Sequence, residues 1–432
     1  MSEAILEALM KLFGLIAKQD AGVGDDERNY VRTFLQSQIG EQEVGLYLRK
    51  FDENAEVRLD EDGHVIKNEN SGDVKASESV KIIGTCRKIS KELEKDEVLS
   101  DGTKITKDPE VVKKQKELGF HIITDGEFRR TFWHLDFMWG FEGVGHENNG
   151  NGVQFKGELA LLDDTFLTGK IKAKPHPFVE YFKFLKQFED ENTVAKYTIP
   201  APAQTFQQMI YPKNYENTRK IYPTNEELIN DIAKAYQDVI RQFYDAGCHN
   251  LQLDDCTWGA MVGDAAKLRY QALNIDLDEV KSQLLKVNNL ALENKPKDMV
   301  ISSHICRGNY HSKYFTSGAY DSVAEYVFEK ENIDALLLEY DDERSGGFEP
   351  LKFVPENKKV VLGLITTKTP QLEDKSKIIE RIYEAAKYIP LDRLCLSPQC
   401  GFASCEIGNL LTEEEQWAKL KLVKEIAEEV WK

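Results

Sequence analysis

The sequence predicts an α/β fold, a (β/α)8 TIM barrel preceded by a small helical segment, on three observations. First, seven short apolar runs of strand length recur beyond about residue 108: FHIIT (120–124), AKYTIP (195–200), HNLQL (249–253), MVISS (299–303), ALLLE (335–339), KVVLGLI (359–365) and RLCLS (393–397). Second, helical patterns fill the gaps, as over 225–246 and 371–388, and strands alternating with helices are the signature of parallel β/α units. Third, no G-x-G-x-x-G follows any of the runs, which disfavours a dinucleotide-binding open sheet.

The elements follow in order. Ile5, Leu6, Leu9, Met10, Leu12, Phe13 and Ile16 have amphipathic-helix spacing over 3–18. After the polar loop QDAGVGDDE, Tyr30, Val31, Phe34 and Leu35 indicate a second helix, and Val44 to Phe51 a third. Residues 52–78 are polar, with Gly63, Asn68, Asn70 and Gly72, and read as a linker or exposed loop. The pattern over 79–95 fits a strand or a helix equally. A helix ending at Leu118-Gly119 then leads into FHIIT. The expected division is 1–78 as helical appendage and polar linker, and 79–432 as barrel.

A chain of 432 residues with 41% hydrophobic and 30% charged side chains suits one large barrel plus an appendage, and buries enough core to need no disulfides. The net charge of −18 argues against a nucleic-acid partner or an anionic membrane surface. The N-terminus lacks the basic n-region and cleavage site of a signal peptide, and no apolar run is long enough to span a bilayer. The expected place is the cytoplasm, where the seven scattered cysteines stay reduced and free to bind metal.

Reactive residues cluster just past the strand ends. Asp125 and Glu127 follow FHIIT, Asp254 and Asp255 follow HNLQL, His304 and Cys306 follow MVISS, Glu339 ends ALLLE, and Cys400 follows RLCLS. In a β/α barrel those ends share one face, where active sites are built. His304 and Cys306 are two apart, so in an extended segment both point the same way. H-x-C alone is a weak signal, since free cysteines are often simply buried. With Glu339 and Cys400 added, four ligand types meet at three strand ends, and the set suits zinc. C-x-x-C knuckles are absent, which favours a catalytic site with an exchangeable ligand. Zinc deprotonates a thiol while leaving it nucleophilic, and two cysteinate ligands favour thiolate alkylation over water activation. Glu339 is the ligand expected to yield to an incoming sulfur. Glu127 and Asp254 are acceptors for a substrate ammonium, or, on the plainer reading, helix caps. Cys256, Cys395 and Cys405 are near enough in sequence to confuse the assignment: Cys405 competes with Cys400 for the ligand role and Cys395 packs within its apolar run, while Cys86 and Cys248 read as structural.

TDGEFRR (124–130), LQLDD (251–255), SSHICRGNY (302–310), LLLEYDD (336–342), LGLITTKTP (362–370) and LSPQCGF (396–402) resemble, in order and spacing, segments of the catalytic half of cobalamin-independent methionine synthase, and most closely its short bacterial relatives. The resemblance covers roughly 108–432. It implies a zinc barrel that transfers methyl from methyltetrahydrofolate to homocysteine in methionine biosynthesis, with small molecules as partners. It puts the zinc ligands on His304, Cys306, Glu339 and Cys400, and the amino-acid-binding acids on Glu127 and Asp254.

The chain departs from that family at three points. The V-G-S segment of the first barrel strand has only SVKIIGTC (79–86) as a stand-in. The family's D-I-H-S-P histidine is replaced in the stretch Thr366 to Pro370, where Lys368 is the candidate for its proton or charge role. A folate-stacking tryptophan has no counterpart in YTIPAPAQTF (197–206). The alternatives are a zinc thiol-alkyltransferase with another thiol or donor, and a metal-retaining barrel that has lost catalysis. The first fifty or so residues resemble the opening helices of TerB-like tellurite-resistance domains.

Overall fold

The computed structural model describes residues 107–147, 152–155, 158–272, 275–403 and 408–432, together with 41–55 and scattered short stretches before 107. Packing divides the chain into two compact units, Met1–Thr106 with Asn148–Gly150, and Lys107–Glu147 with Asn151–Lys432.

The first unit has a small core of its own. Met10, Val31, Leu35, Val44, Tyr47, Leu48, Phe51 and Ala55 are buried together. The helix Glu41–Ala55 extends past both ends of the expected Val44 to Phe51 segment. Its last turn therefore runs into the stretch read as linker, where Arg58–Leu59 also pairs antiparallel with Val65–Ile66. Arg28 grips Asp52 with two 2.8 Å hydrogen bonds, a bidentate fork that ties an earlier segment to this helix. The boundary drawn at residue 79, the SVKIIGTC segment and most of the TerB-like stretch lie outside the described residues.

In the second unit the apolar runs become parallel strands. They are β1 (Ile122–Ile123), β2 (Val194–Ala195 and Tyr197–Pro200, separated by Lys196), β3 (Asn250–Asp255), β4 (Val300–Ile305), β5 (Ala335–Glu339), β6 (Lys359–Ile365) and β7 (Leu394–Pro398). β2 to β7 form one sheet in sequence order, and β1 pairs in parallel with the first piece of β2. The Lys196 N–H donates to the Ile123 carbonyl at 2.9 Å across the break. All seven runs are strands within one or two residues of their expected limits. The fold is thus an α/β fold on a parallel sheet. Closure of a (β/α)8 barrel would need an eighth strand between β7 and β1, and no such strand is found among the described residues.

Sequence order equals spatial order because each strand is followed by a segment that returns along the sheet. After β2, the helix Asn225–Asp245 begins at Thr224, whose hydroxyl accepts from the Glu227 N–H, and buries Leu228, Ile232, Tyr236, Val239 and Phe243 along one face. Between β6 and β7, the helix spans Lys375–Ala385, shorter than 371–388, because the Asp374 side chain caps it by accepting from Ser376 and Lys377. One feature was not expected from the sequence: Glu142–Glu147 pairs antiparallel with Asp164–Lys172. Only Thr165, Leu167 and Ile171 of the second strand are buried, so its alternation is too weak to stand out in the sequence.

Behind β3 lies a buried polar junction. Asp255 caps the short helix Cys256–Gly259 through the Thr257 N–H at 2.8 Å. The Asn288 amide donates to Asp255 Oδ2 at 3.0 Å and to Glu331 Oε1 at 2.8 Å, and its oxygen accepts from the Ala203 N–H at 2.8 Å. Burial, reinforced by the Asp255 charge, pushes the Glu331 carboxyl up to about 8. A carboxyl raised in the fold holds its proton there longer than in the unfolded chain. Its contribution to stability is complete below about pH 4.5 and is lost as pH rises through about 8. Glu331→Gln, which cannot ionise, should therefore show a flatter decline of urea midpoint across that window than the parent. An equally steep decline in the variant would assign the slope to other groups.

Candidate metal centre

The strand register places the reactive side chains. Asp254 pairs with His304, and His304 with Leu337. Two residues further on, Cys256, Cys306 and Glu339 come level at the ends of β3, β4 and β5, with Glu339 opposite Gly363 of β6. Side chains two apart on a strand share a face, so the His304 and Cys306 level lies directly above Ser302. Gly363 has no room for a side chain: a Cβ there would stand 2.6 Å from the Gln399 Cα and 2.8 Å from the Leu338 carbonyl. That closeness lets the segment after β7 carry Cys400 inward.

His304, Cys306, Glu339 and Cys400 each bring a ligand atom within 4.8 Å of the others. The set contains two sulfurs, one nitrogen and one carboxylate oxygen. His304 Nδ1 lies 3.1 Å from Asp254 Oδ1, while Nε2 lies 3.6 Å from Glu339 Oε1. Asp254 thus orients the ring and leaves Nε2 toward the cluster, as a carboxylate behind a metal-binding histidine does. Glu339 is fully buried; the Arg307 N–H donates to its Oε1 at 2.9 Å and Arg344 to its Oε2 at 3.0 Å. Arg344 also pairs with Asp341 at 2.7 Å.

Burial and neighbouring charges shift each of the four groups from its ordinary value. Burial alone would lower His304, yet the Asp254 and Glu339 carboxylates raise it well above its usual value. Burial alone would raise Glu339, but His304, Lys368 and the Arg307 N–H hold it below the usual carboxylate range. The Cys256 thiol hydrogen-bonded to Cys306 and then burial push Cys306 up; Cys306 and burial do the same to Cys400.

The candidate acids divide. Asp255 is the helix cap, whereas Asp254, one residue earlier and on the other face, points into the site and also accepts from the Gln252 amide at 2.7 Å. Glu127 stands in left-handed backbone (φ 61°), accepts from Thr198 and pairs with Arg130 at 3.0 Å. Its carboxyl is raised by burial and by the nearby Asp254, against the pull of Arg130. Lys368 reaches the edge of the cluster, with Nζ 3.2 Å from Asn309 Oδ1. Cys248 is buried, and its thiol is pushed up to about 12. Cys86 and Cys405 lie outside the described residues. One site neighbour went unnoticed in the sequence, Lys196, whose ammonium donates to Gln252 at 2.7 Å beneath Asp254; Cys256, one of the cysteines that confuse the ligand assignment, stands beside Cys306 rather than in the four-residue group. The register of β3 on β4 is the signal that finds Cys256. Trp258, just past β3, is wholly buried in the core.

The family described as "Cobalamin-independent synthase, Catalytic domain" matches residues 210–429. YxjH of Bacillus subtilis (strain 168), an uncharacterized protein, is 44% identical over 323 residues, covering 74% of this chain and 84% of that one. A Listeria monocytogenes structure provisionally named vitamin-B12-independent methionine synthase superposes with a TM-score of 0.58 at 38% identity, over 84% of this chain and 91% of that one. The B12-independent methionine synthase of Shewanella sp. W3-18-1, solved in complex with selenomethionine, gives a TM-score of 0.55 at 22% identity over 75% and 86% of the two chains, a likeness of fold.

Gly259 tests how tightly the site is framed. A Cβ there would fall 2.0 Å from the Cys306 carbonyl oxygen, a backbone atom that cannot swing away. Gly259→Ala should cost about 2 kcal/mol, in the range of overpacking, and reduce the zinc retained per chain on dialysis. Unchanged melting temperature and zinc content would show that β4 shifts freely.

Proposed function

The chain belongs to the cobalamin-independent methionine synthase family, and from that premise we propose that it is a zinc-dependent methyltransferase that moves a methyl group from a methylfolate or related donor to the thiol of homocysteine, forming methionine. The observation that carries the reading is the convergence of His304, Cys306, Glu339 and Cys400 at the carboxyl ends of parallel strands. In this reading the sheet belongs to a (β/α)8 barrel.

The residues fit zinc. Donors of a tetrahedral zinc site with S2NO ligation stand roughly 3.3–3.8 Å apart, so those of this cluster need only a small inward movement. When bound, the metal would hold the substrate sulfur as a nucleophilic thiolate at neutral pH. The rest falls to the chain's own groups. Asp254 holds the imidazole through Nδ1, fixing the tautomer that offers Nε2. Arg344 and the Arg307 N–H hold Glu339 and would balance its charge were the substrate sulfur to take its place. Asp254, close enough to help raise the Glu127 carboxyl, flanks with it the position for an α-ammonium group. The thiolate attacks the donor's methyl carbon, the carbon–nitrogen bond breaks, and the leaving nitrogen takes a proton. Lys368, beside the cluster, is assigned to that proton.

Three results are expected. Purified protein should contain one zinc per chain, and X-ray absorption should show one oxygen ligand replaced by sulfur when homocysteine is added. A metal whose spectrum ignores every thiol would instead favour a barrel that merely holds metal. Zinc uptake should expel protons, since His304 and both thiols are raised and so protonated in the metal-free state. About three should be released per zinc near neutral pH, with affinity falling as pH falls. Finally, Glu127→Gln should weaken homocysteine binding by about ten- to a hundred-fold, the value of a charge-assisted hydrogen bond, while leaving zinc in place. Unchanged affinity in calorimetry would remove Glu127 from the substrate site.

A further inference from the structure

A third thiol stands beside the two that belong to the metal cluster. Cys256 is the first residue of the short helix after β3, and the Cys306 N–H donates to the Asp255 carbonyl at 3.1 Å, so the two chains are still laddered where both cysteines leave the sheet. The Cys256 and Cys306 thiols are close enough to shift one another's protonation, as are those of Cys306 and Cys400. Level residues on neighbouring strands have their backbones about 4.8 Å apart, inside the span of about 4.4–6.8 Å that a disulfide bridges. Cys256 is outside the four-residue cluster. It is half-buried, whereas Cys306 is 8% exposed. Of the three thiols it alone stands outside the candidate ligand set.

We propose that Cys256 and Cys306 form an oxidative modification site, in which a peroxide converts the pair to a disulfide and so removes a ligand from the metal centre. Cys306, the metal-ligand sulfur, is the attacking nucleophile. A sulfur–oxygen bond forms, the peroxide O–O bond breaks and one water leaves, giving a sulfenic acid. The Cys256 thiol then attacks that sulfur, the S–S bond forms, the S–O bond breaks and a second water leaves. Counting both sulfurs as thiols, two thiols and one hydrogen peroxide give one disulfide and two waters, a two-electron oxidation. Cys256 is the resolving thiol: it traps the sulfenic acid before further oxidation becomes irreversible. A disulfide sulfur no longer carries the thiolate charge that zinc requires, so the metal is released with the bond's formation. The disulfide itself depends only on the two thiols; the metal release rests on the zinc reading proposed above.

The test uses the full chain, purified reduced, with zinc content measured first. Hydrogen peroxide is added, released zinc is followed with a chromogenic chelator, and non-reduced peptides are mapped by mass spectrometry. The expected result is a peptide linking Cys256 to Cys306, one zinc released per linkage, and recovery of both thiols with dithiothreitol. Cys256→Ser, and Cys256→Ala should the first fold poorly by circular dichroism, should yield no linkage and should carry Cys306 on to sulfinic acid that dithiothreitol does not reverse. A Cys306–Cys400 linkage, or any disulfide lacking Cys256, overturns the proposal, as does zinc release that is equally fast and equally reversible in the Cys256 variants. Protein stripped of metal with a chelator is treated in parallel. A linkage there, in a protein that never held zinc as isolated, would uphold the modification site while defeating the zinc reading.

Discussion

The register between β3, β4 and β5 is the constraint on which the site depends. Pairing Asp254 with His304 sets the imidazole beside its orienting carboxylate, and one pleat further along the same alignment brings Cys256, Cys306 and Glu339 level. A slip of one residue in either ladder would send the whole set to the opposite face, since the side-chain period of a strand is two. The apolar residues between them, Leu253, Ile305, Leu336 and Leu338, are buried. Packing of one face against the helices therefore holds the chemistry on the other.

That arrangement brings several charges into a region from which water is largely excluded, and each charge has a specific answer. Glu339 is held by Arg344, by the Arg307 N–H and by the His304 ring. Glu127 is held by Arg130 and Thr198. Without such partners buried carboxylates would bind protons instead, as Glu331 does in the junction behind β3. The contrast between Glu339, kept ionised, and Glu331, kept protonated, separates a group suited to meeting a cation from one that serves the packing of the fold.

The same ladders explain why neighbours in the sequence take different work. Asp254 and Asp255 are adjacent and chemically alike, yet one orients His304 and the other caps a helix. Cys306 and Cys256 lie fifty residues apart, yet the Cys306 N–H donates to the Asp255 carbonyl next to Cys256. Gly259 and Gly363 matter through the side chains they lack, since each lets a second backbone approach the cluster.

What the sequence by itself determined was the set of strands and the identity of the reactive residues at their ends. Short apolar runs bounded by polar residues carry their periodicity locally, so FHIIT through RLCLS could be placed as strands without knowing what they pair with. His304, Cys306, Glu339 and Cys400 were legible because strand ends in a parallel sheet must face one way. Only the tertiary structure decided which of two adjacent aspartates turns inward, that Arg344 rather than a nearer residue answers Glu339, and that Cys256 joins the sulfurs. The extra hairpin Glu142–Lys172 also escaped the sequence, its alternation being half hidden by glycines and exposed positions. These outcomes depend on register and on contacts between segments far apart in the chain, and a local pattern of side chains contains neither.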